Sequence, residues 1–500
     1  MPTRPTRQLA VAVIALLLAA ACTGGSDSKD TTGSRPESGS STSSTSAAEP
    51  GFTPQPVEWA RCDDGSRLDC ATLGVPLDYA KPAGEVLSLA LARLPARDPD
   101  KRIGSLLVNP GGPGGSGIDF IKGGIAFGND VLDRFDIVGF DPRGVGASGE
   151  VPCAGQTIDD LRAADSNPDS PEEQQKLDSA AKAVADDCGS NAGDLIPHIG
   201  TDDVVRDMDT IRAALGDEKL TYAGFSYGTL LGLRYLALFP THARAVYLDG
   251  VVDPTQDFVG FLTGQAHAFE TRLQQIFDDC PAGKRGCPDI GAAAAYDRIA
   301  ATIEETPLRA DRGEVLDPTA LATAAIYATY VERFASTFDK ALSAGLTGDG
   351  SRLRAMADSY YDEGAYASYA GVECVDSPHP VGAAAYKRFA DDLAAISPRF
   401  GGAIANELLP CAFWPAAVSS VVGAVTAPEG PPTLVVGTTN DAATPYEQAV
   451  KVATSLENGH LVTYEGRQHT SYGASSCTTA IAASYLVNLE LPPEGTVCHD

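Results

Sequence analysis

The chain has 500 residues, 43% hydrophobic and 21% charged, a composition that excludes wholesale disorder and supplies enough apolar mass for a large buried core. Its 66 acidic and 37 basic side chains leave a formal net charge of -29, which repels phosphate backbones and excludes nucleic acid as a partner. The length exceeds one ordinary domain, and one catalytic domain carrying an insertion is the expected organisation.

At the N-terminus Arg4 and Arg7 precede an apolar run at residues 9–21, the order of a secretory signal peptide and too short for a membrane span. The run ends in Ala19-Ala20-Ala21-Cys22, which resembles a bacterial lipobox. Residues 1–22 are then a signal with Cys22 as lipid anchor, and residues 23–55, rich in Ser, Thr and Gly, a flexible linker. Ala19 stands where a lipobox usually has a large aliphatic residue, so plain cleavage and secretion remain the alternative. Export exposes thiols to oxidation, and of 11 cysteines ten remain once Cys22 is set aside. Pairing nearest neighbours gives Cys62–Cys70, Cys153–Cys188, Cys280–Cys287, Cys374–Cys411 and Cys477–Cys498. No C-x-x-C couple or H-E-x-x-H is present, so no metal is expected.

The first part of the catalytic domain, residues 56–256, alternates strand-like and helical patterns, which predicts an α/β fold with a mostly parallel central sheet flanked by helices. An apolar run at residues 105–108 reads as a strand and opens directly into Asn109-Pro110-Gly111-Gly112-Pro113-Gly114-Gly115-Ser116-Gly117. A Gly-rich loop there can present backbone N–H groups to an anion, and Gly112 is assigned as one oxyanion donor. No lysine stands where a phosphate-binding P-loop needs one. Residues 135–140 form a second strand candidate. Thr201, Asp202 and Asp203 open a helix that places Val204, Met208, Ile211 and Leu215 on one face before Gly216 stops it.

Residues 220–223 then read as a buried strand, followed by Gly224-Phe225-Ser226-Tyr227-Gly228 and a helix-like run at residues 229–238. In this strand–turn–helix setting G-x-S-x-G lifts a nucleophilic serine clear of the sheet edge, with the N–H of Tyr227 as second oxyanion donor. Residues 245–248 add another strand. Residues 257–425 turn Ala-rich and helix-favouring, which predicts a helical cap inserted into the sheet domain, and residues 426–500 return to strands at 433–436 and 461–464.

A serine nucleophile needs a base and an orienting acid, which in this fold follow in the order Ser, Asp or Glu, His. Of seven histidines, His379 lies in a Pro-flanked turn of the cap, His460 before the last long strand, and His499 at the terminus. His469 sits on the loop past that strand, at the edge where Ser226 emerges, and is assigned as the base. Asp441, on the loop after residues 433–437, is the matching acid, and Thr444 can steady its carboxylate. The competing role for Asp441 is capping the helix that Pro445 starts.

Together, residues 109–117, Asp141-Pro142-Arg143-Gly144-Val145-Gly146-Ala147-Ser148, residues 224–228, residues 441–445 and His469 resemble the proline iminopeptidase and tripeptidyl aminopeptidase branch of the α/β-hydrolases, specifically its secreted bacterial members. The resemblance implies release of short peptides from free N-termini through an acyl-enzyme, without metal or organic cofactor. It also implies cap acids that hold the substrate amine, for which Glu373 and Asp376 are the candidates, a solvated helix face or local capping being the competing role for both. An esterase or lipase would carry the same Ser-Asp-His set. A monomer is expected, touching a membrane only through its lipid.

Overall fold

In the computed structural model the described residues are 52–124, 127–363, 366–419 and 421–500, with no side-chain description at 362 and 363. The signal, Cys22 and most of the linker lie outside them. Twelve strands follow in chain order: β1 Ala60–Arg61, β2 Asp69–Pro76, β3 Val86–Leu94, β4 Gly104–Asn109, β5 Phe135–Phe140, β6 Leu220–Phe225, β7 Ala243–Asp249, β8 Leu308–Arg309, β9 Val315–Leu316, β10 Thr433–Thr438, β11 Gly459–Tyr464 and β12 Val497–Cys498. Ten of them form one sheet in the order β1-β2-β3-β5-β4-β6-β7-β10-β11-β12. Pairing is antiparallel from β1 to β5 and parallel from β5 to β12. All six strand candidates from the sequence lie in this sheet.

The central parallel strands β5, β4, β6, β7 and β10 are buried on both faces, which is why they read as largely apolar runs. Along β4 the side chains alternate between two separate cores, with Leu107 in one and Leu106 and Val108 in the other. On either side of β4 lie β5 and β6, so the chain reverses its direction of travel across the sheet there. The crevice at the C-terminal ends of strands beside such a point is where ligands of open α/β sheets bind.

Between β7 and β10 the chain is mainly helical, from the helix Phe258–Asp279 to the helix Gly401–Glu407, with only the short β8–β9 pair as strand. No helix among the described residues is long and apolar enough to cross a membrane. Five disulfides link the nearest-neighbour pairs expected from the sequence.

The Asp141–Ser148 motif is structural. Arg143 is fully buried and donates to both carboxylate oxygens of Asp207 at 2.7 Å, and to the carbonyls of Pro76, Leu77 and His198. Asp141 accepts from Ser116 Oγ at 2.5 Å and from the Ala147 N–H at 2.9 Å, so it ties the Gly-rich loop to the turn after β5. A buried ion pair with every donor satisfied fixes local geometry more than it adds stability.

Candidate active site

Ser226 occupies the turn between β6 and the helix Tyr227–Leu238 at φ 54 and ψ -128, a conformation L-residues avoid and one that costs about 1–3 kcal/mol. The glycines of the motif make the turn possible. A Cβ on Gly224 would stand 2.3 Å from the Gly228 carbonyl oxygen, and one on Gly228 would stand 2.7 Å from that of Asn109. The Ser226 N–H donates to the Asp249 carbonyl at 3.0 Å, which pins the turn to the end of β7.

Asp441 follows β10 and His469 follows β11, so both reach the same rim as Ser226. Nδ1 of His469 lies 2.9 Å and 3.0 Å from the two Asp441 oxygens. The carboxylate also accepts the N–H groups of Ala443 and Thr444, each at 2.9 Å, and the Thr444 hydroxyl at 3.0 Å. The helix beyond begins at Tyr446 with Pro445 at its cap position and no side-chain cap bond, so Asp441 meets the imidazole and does not cap that helix. Thr444 stands where its sequence position suggested. The helical insertion supports the histidine: the Tyr330 carbonyl accepts the His469 N–H at 2.7 Å, and the Tyr330 ring meets the imidazole edge to face at 5.5 Å.

The Ser226 hydroxyl makes no hydrogen bond to the imidazole, and His469 Nε2 is buried without a partner. Of the three assigned side chains, Asp441 and His469 are bonded to each other. Ser226 and His469 nonetheless line one cavity, and catalytic hydrogen bonds are commonly loose before substrate closes the site. Gly112 and Tyr227 line the same cavity. Tyr227 is the first residue of its helix, so its N–H has no intrahelical acceptor. Among the described residues no acceptor is bound to the Gly112 N–H either.

One positioning residue was not visible in the sequence. Asp249, buried at the end of β7, accepts the N–H groups of Ser471 and Tyr472 at 2.8–3.0 Å together with the hydroxyls of Ser471 and Tyr247. It anchors the chain two residues past His469. An aspartate ending an apolar strand gives no sequence signal for this.

Burial pushes the His469 imidazolium pKa down, but the charge and hydrogen bond of Asp441, with Asp249 adding to them, outweigh it and hold the pKa above 6.5. A base must be neutral to accept the serine proton, and a raised pKa keeps it protonated to higher pH. The acid limb of a kcat/KM profile should therefore fall above pH 6.5, where a free imidazole titrates. A stopped rate assay across pH 5 to 10 checks this, and a limb at or below the free-imidazole value would count against it.

The cavity has a volume of about 710 Å³, floored by the Gly-rich loop and Ser226 and walled by the insertion. Besides Tyr227, six tyrosines of the insertion line it: Tyr327, Tyr330, Tyr360, Tyr361, Tyr366 and Tyr369. Among the carboxylates that line it, three are deeply buried with raised pKa values. Burial, with Asp376 and Glu407 nearby, pushes Glu373 up to about 8. Burial pushes Asp376 up to about 7 against hydrogen bonds from Thr201, and burial pushes Glu407 up to about 7. Neither of the two acids named from the sequence lies on a solvated face. Asp376 does cap, accepting the Thr201 N–H at 2.8 Å and its hydroxyl at 2.5 Å where the helix Thr201–Ala214 begins. Glu373 has no such tie. Glu407, which ends a short apolar helix, gave no signal in the sequence.

Residues 397–498 match the family described as TAP-like protein. The chain is 37% identical to serine protease Hip1 of Mycobacterium tuberculosis over 481 residues, covering 89% of this chain and 91% of that protein. It is 33% identical to the tripeptidyl aminopeptidase of Streptomyces lividans, covering 81% and 79%, and 35% identical to carboxylesterase B of Mycobacterium tuberculosis, covering 86% of each. With the sheet, the serine turn and the Asp–His pair described above, these likenesses show that the chain belongs to the TAP-like serine hydrolases of the α/β-hydrolase fold.

Proposed function

We propose that this is an exported aminopeptidase that releases tripeptides or other short units from free peptide N-termini. Ser226 is the nucleophile, His469 the base, Asp441 the orienting acid with Thr444 behind it, and the N–H groups of Gly112 and Tyr227 hold the oxyanion. Ser226 Oγ gives its proton to His469 Nε2 as it bonds to the scissile carbonyl carbon. The C–N bond then breaks and the proton passes to the leaving amine. Water activated by the same imidazole frees the acyl group and restores the hydroxyl.

The observation that carries the substrate class is a serine turn sharing one cavity with the buried acids Glu373, Asp376 and Glu407. A buried carboxylate gains a partner when an ammonium group enters, and the relatives named serine protease and tripeptidyl aminopeptidase agree with this. We assign Glu373 to the amine, with residues 257–425 acting as the cap that sets the distance from the amine to Ser226. The relative named carboxylesterase B makes esterolysis the competing reading. Comparing kcat/KM for tripeptide 4-nitroanilides and 4-nitrophenyl butyrate decides between them: faster ester turnover, insensitive to Glu373, would reject the peptidase.

Loss of a charge-assisted hydrogen bond predicts that Glu373→Gln raises KM for free-amine peptides roughly ten- to a hundredfold. N-acetylated esters should be unaffected, and equal effects on both would remove Glu373 from the amine site. Five disulfides fit an oxidising compartment, in line with export and with a lipid on Cys22 or a freely secreted form. Mass analysis of the mature N-terminus separates those two.

A further inference from the structure

Arg162 is a basic side chain with no evident task. It ends the helix Gly155–Arg162 and lines the cavity that contains Ser226. Its guanidinium carbon lies 4.0 Å over the Tyr361 ring and 5.7 Å from that of Tyr366. Tyr361 is itself fixed through its hydroxyl, 3.0 Å from Thr323 Oγ1. Two rings therefore hold the guanidinium plane while leaving its edge unoccupied.

The edge has no protein partner. Arg162 Nε is buried without an acceptor, and among the described residues the guanidinium makes no ion pair. Arg162 also borders a neighbouring hollow lined by Asp159, Asp317 and Asp358, but Asp358 is engaged by Arg354 at 2.7 Å and none of the three pairs with Arg162. In a chain of net charge -29 an arginine with no carboxylate partner is unexpected. A buried donor left unmatched costs stability unless something else satisfies it, and Arg162 lines the substrate cavity.

We propose that Arg162 is a specificity-determining residue that binds an acidic side chain near the substrate N-terminus, so that the cavity sorts charge, with Glu373 receiving the amine and Arg162 a carboxylate one or two residues along. This rests on the aminopeptidase reading. The field of Arg162 reaches Glu407, and that of Glu407 reaches Glu373, so the guanidinium belongs to the same acid-lined region of the cavity that would receive the first residues of a bound peptide. A planar guanidinium with its faces stacked is suited to bidentate capture of a carboxylate, and a lysine is not.

The test compares peptide 4-nitroanilides that differ only by Glu or Gln at the first or second of three residues. The wild type should favour Glu about tenfold or more in kcat/KM at one of these positions. Arg162→Met should bring that ratio close to one, and Arg162→Lys should leave it in between. The ratio within each variant is the readout, so a general loss of rate does not mimic the effect. A wild type with no preference for Glu at either position, or a ratio unchanged in Arg162→Met, would overturn the proposal. The same pairs, as tripeptide amides, are scored for protection of Ser226 from a fluorophosphonate. Without arylamide turnover the aminopeptidase reading fails, while equal protection by the Glu and Gln peptides in wild type and Arg162→Met rejects the role of Arg162 separately.

Discussion

Ser226→Ala should lower kcat on a tripeptide arylamide by roughly 10⁴- to 10⁶-fold while leaving substrate affinity within a few-fold of the wild type. The hydroxyl is the group that bonds to the carbonyl carbon, and without it only the oxyanion donors and the binding cavity remain to assist attack by water. Those donors are backbone N–H groups of Gly112 and Tyr227 and are not deleted with the side chain. Labelling by a fluorophosphonate should vanish in parallel. Alanine keeps the Cβ that serine already carries at φ 54, so the backbone strain is unchanged and the fold should survive. Single-turnover kinetics and calorimetric titration with an uncleaved peptide give the two numbers. Retention of more than about a hundredth of the wild-type rate would place the nucleophile elsewhere.

Asp441→Asn should cost about 10⁴-fold in kcat with little change in structure. The carboxylate now accepts the His469 Nδ1 proton and the donors from Ala443, Thr444 and the Thr444 hydroxyl. An amide presents N–H groups of its own, which favour the tautomer that leaves Nε2 protonated and unable to act as base. Removing the negative charge also removes the chief influence that raises the imidazole pKa, so what activity persists should show its acid limb at lower pH. A rate loss with an unmoved limb would mean that the carboxylate supports the fold and not the base. Nitrogen-15 chemical shifts of the His469 ring report the tautomer directly.

Six of the seven parallel strands were legible because burial leaves an apolar run with turn residues at each end, as in β6, where every residue is buried, whereas the two-residue β12 is too short to leave a pattern. β2 and β3 escaped notice for the opposite reason. They are half exposed, and Asp69, Thr72 and Ser88 interrupt their apolar pattern. Ser226, Asp441 and His469 could be chosen because each follows a recognisable strand, and strand order places all three loops at one rim. Glu407 and Arg162 could not. Each ends a helix in the sequence as any surface side chain might, and only the packing of the insertion over the sheet turns them toward the cavity. Asp376 shows both kinds of reading at once, since it caps a helix of the sheet domain and borders the substrate space.

Each of the five disulfides closes a loop wholly inside the sheet-forming segments or wholly inside the helical insertion. Among the described residues no disulfide joins the sheet-forming segments to the helical insertion, and the backbone is their one covalent connection. Oxidative maturation can proceed in the two parts without either waiting for the other. In evolution, too, the insertion can be lengthened, trimmed or replaced without stranding a half-cystine in the sheet that carries it.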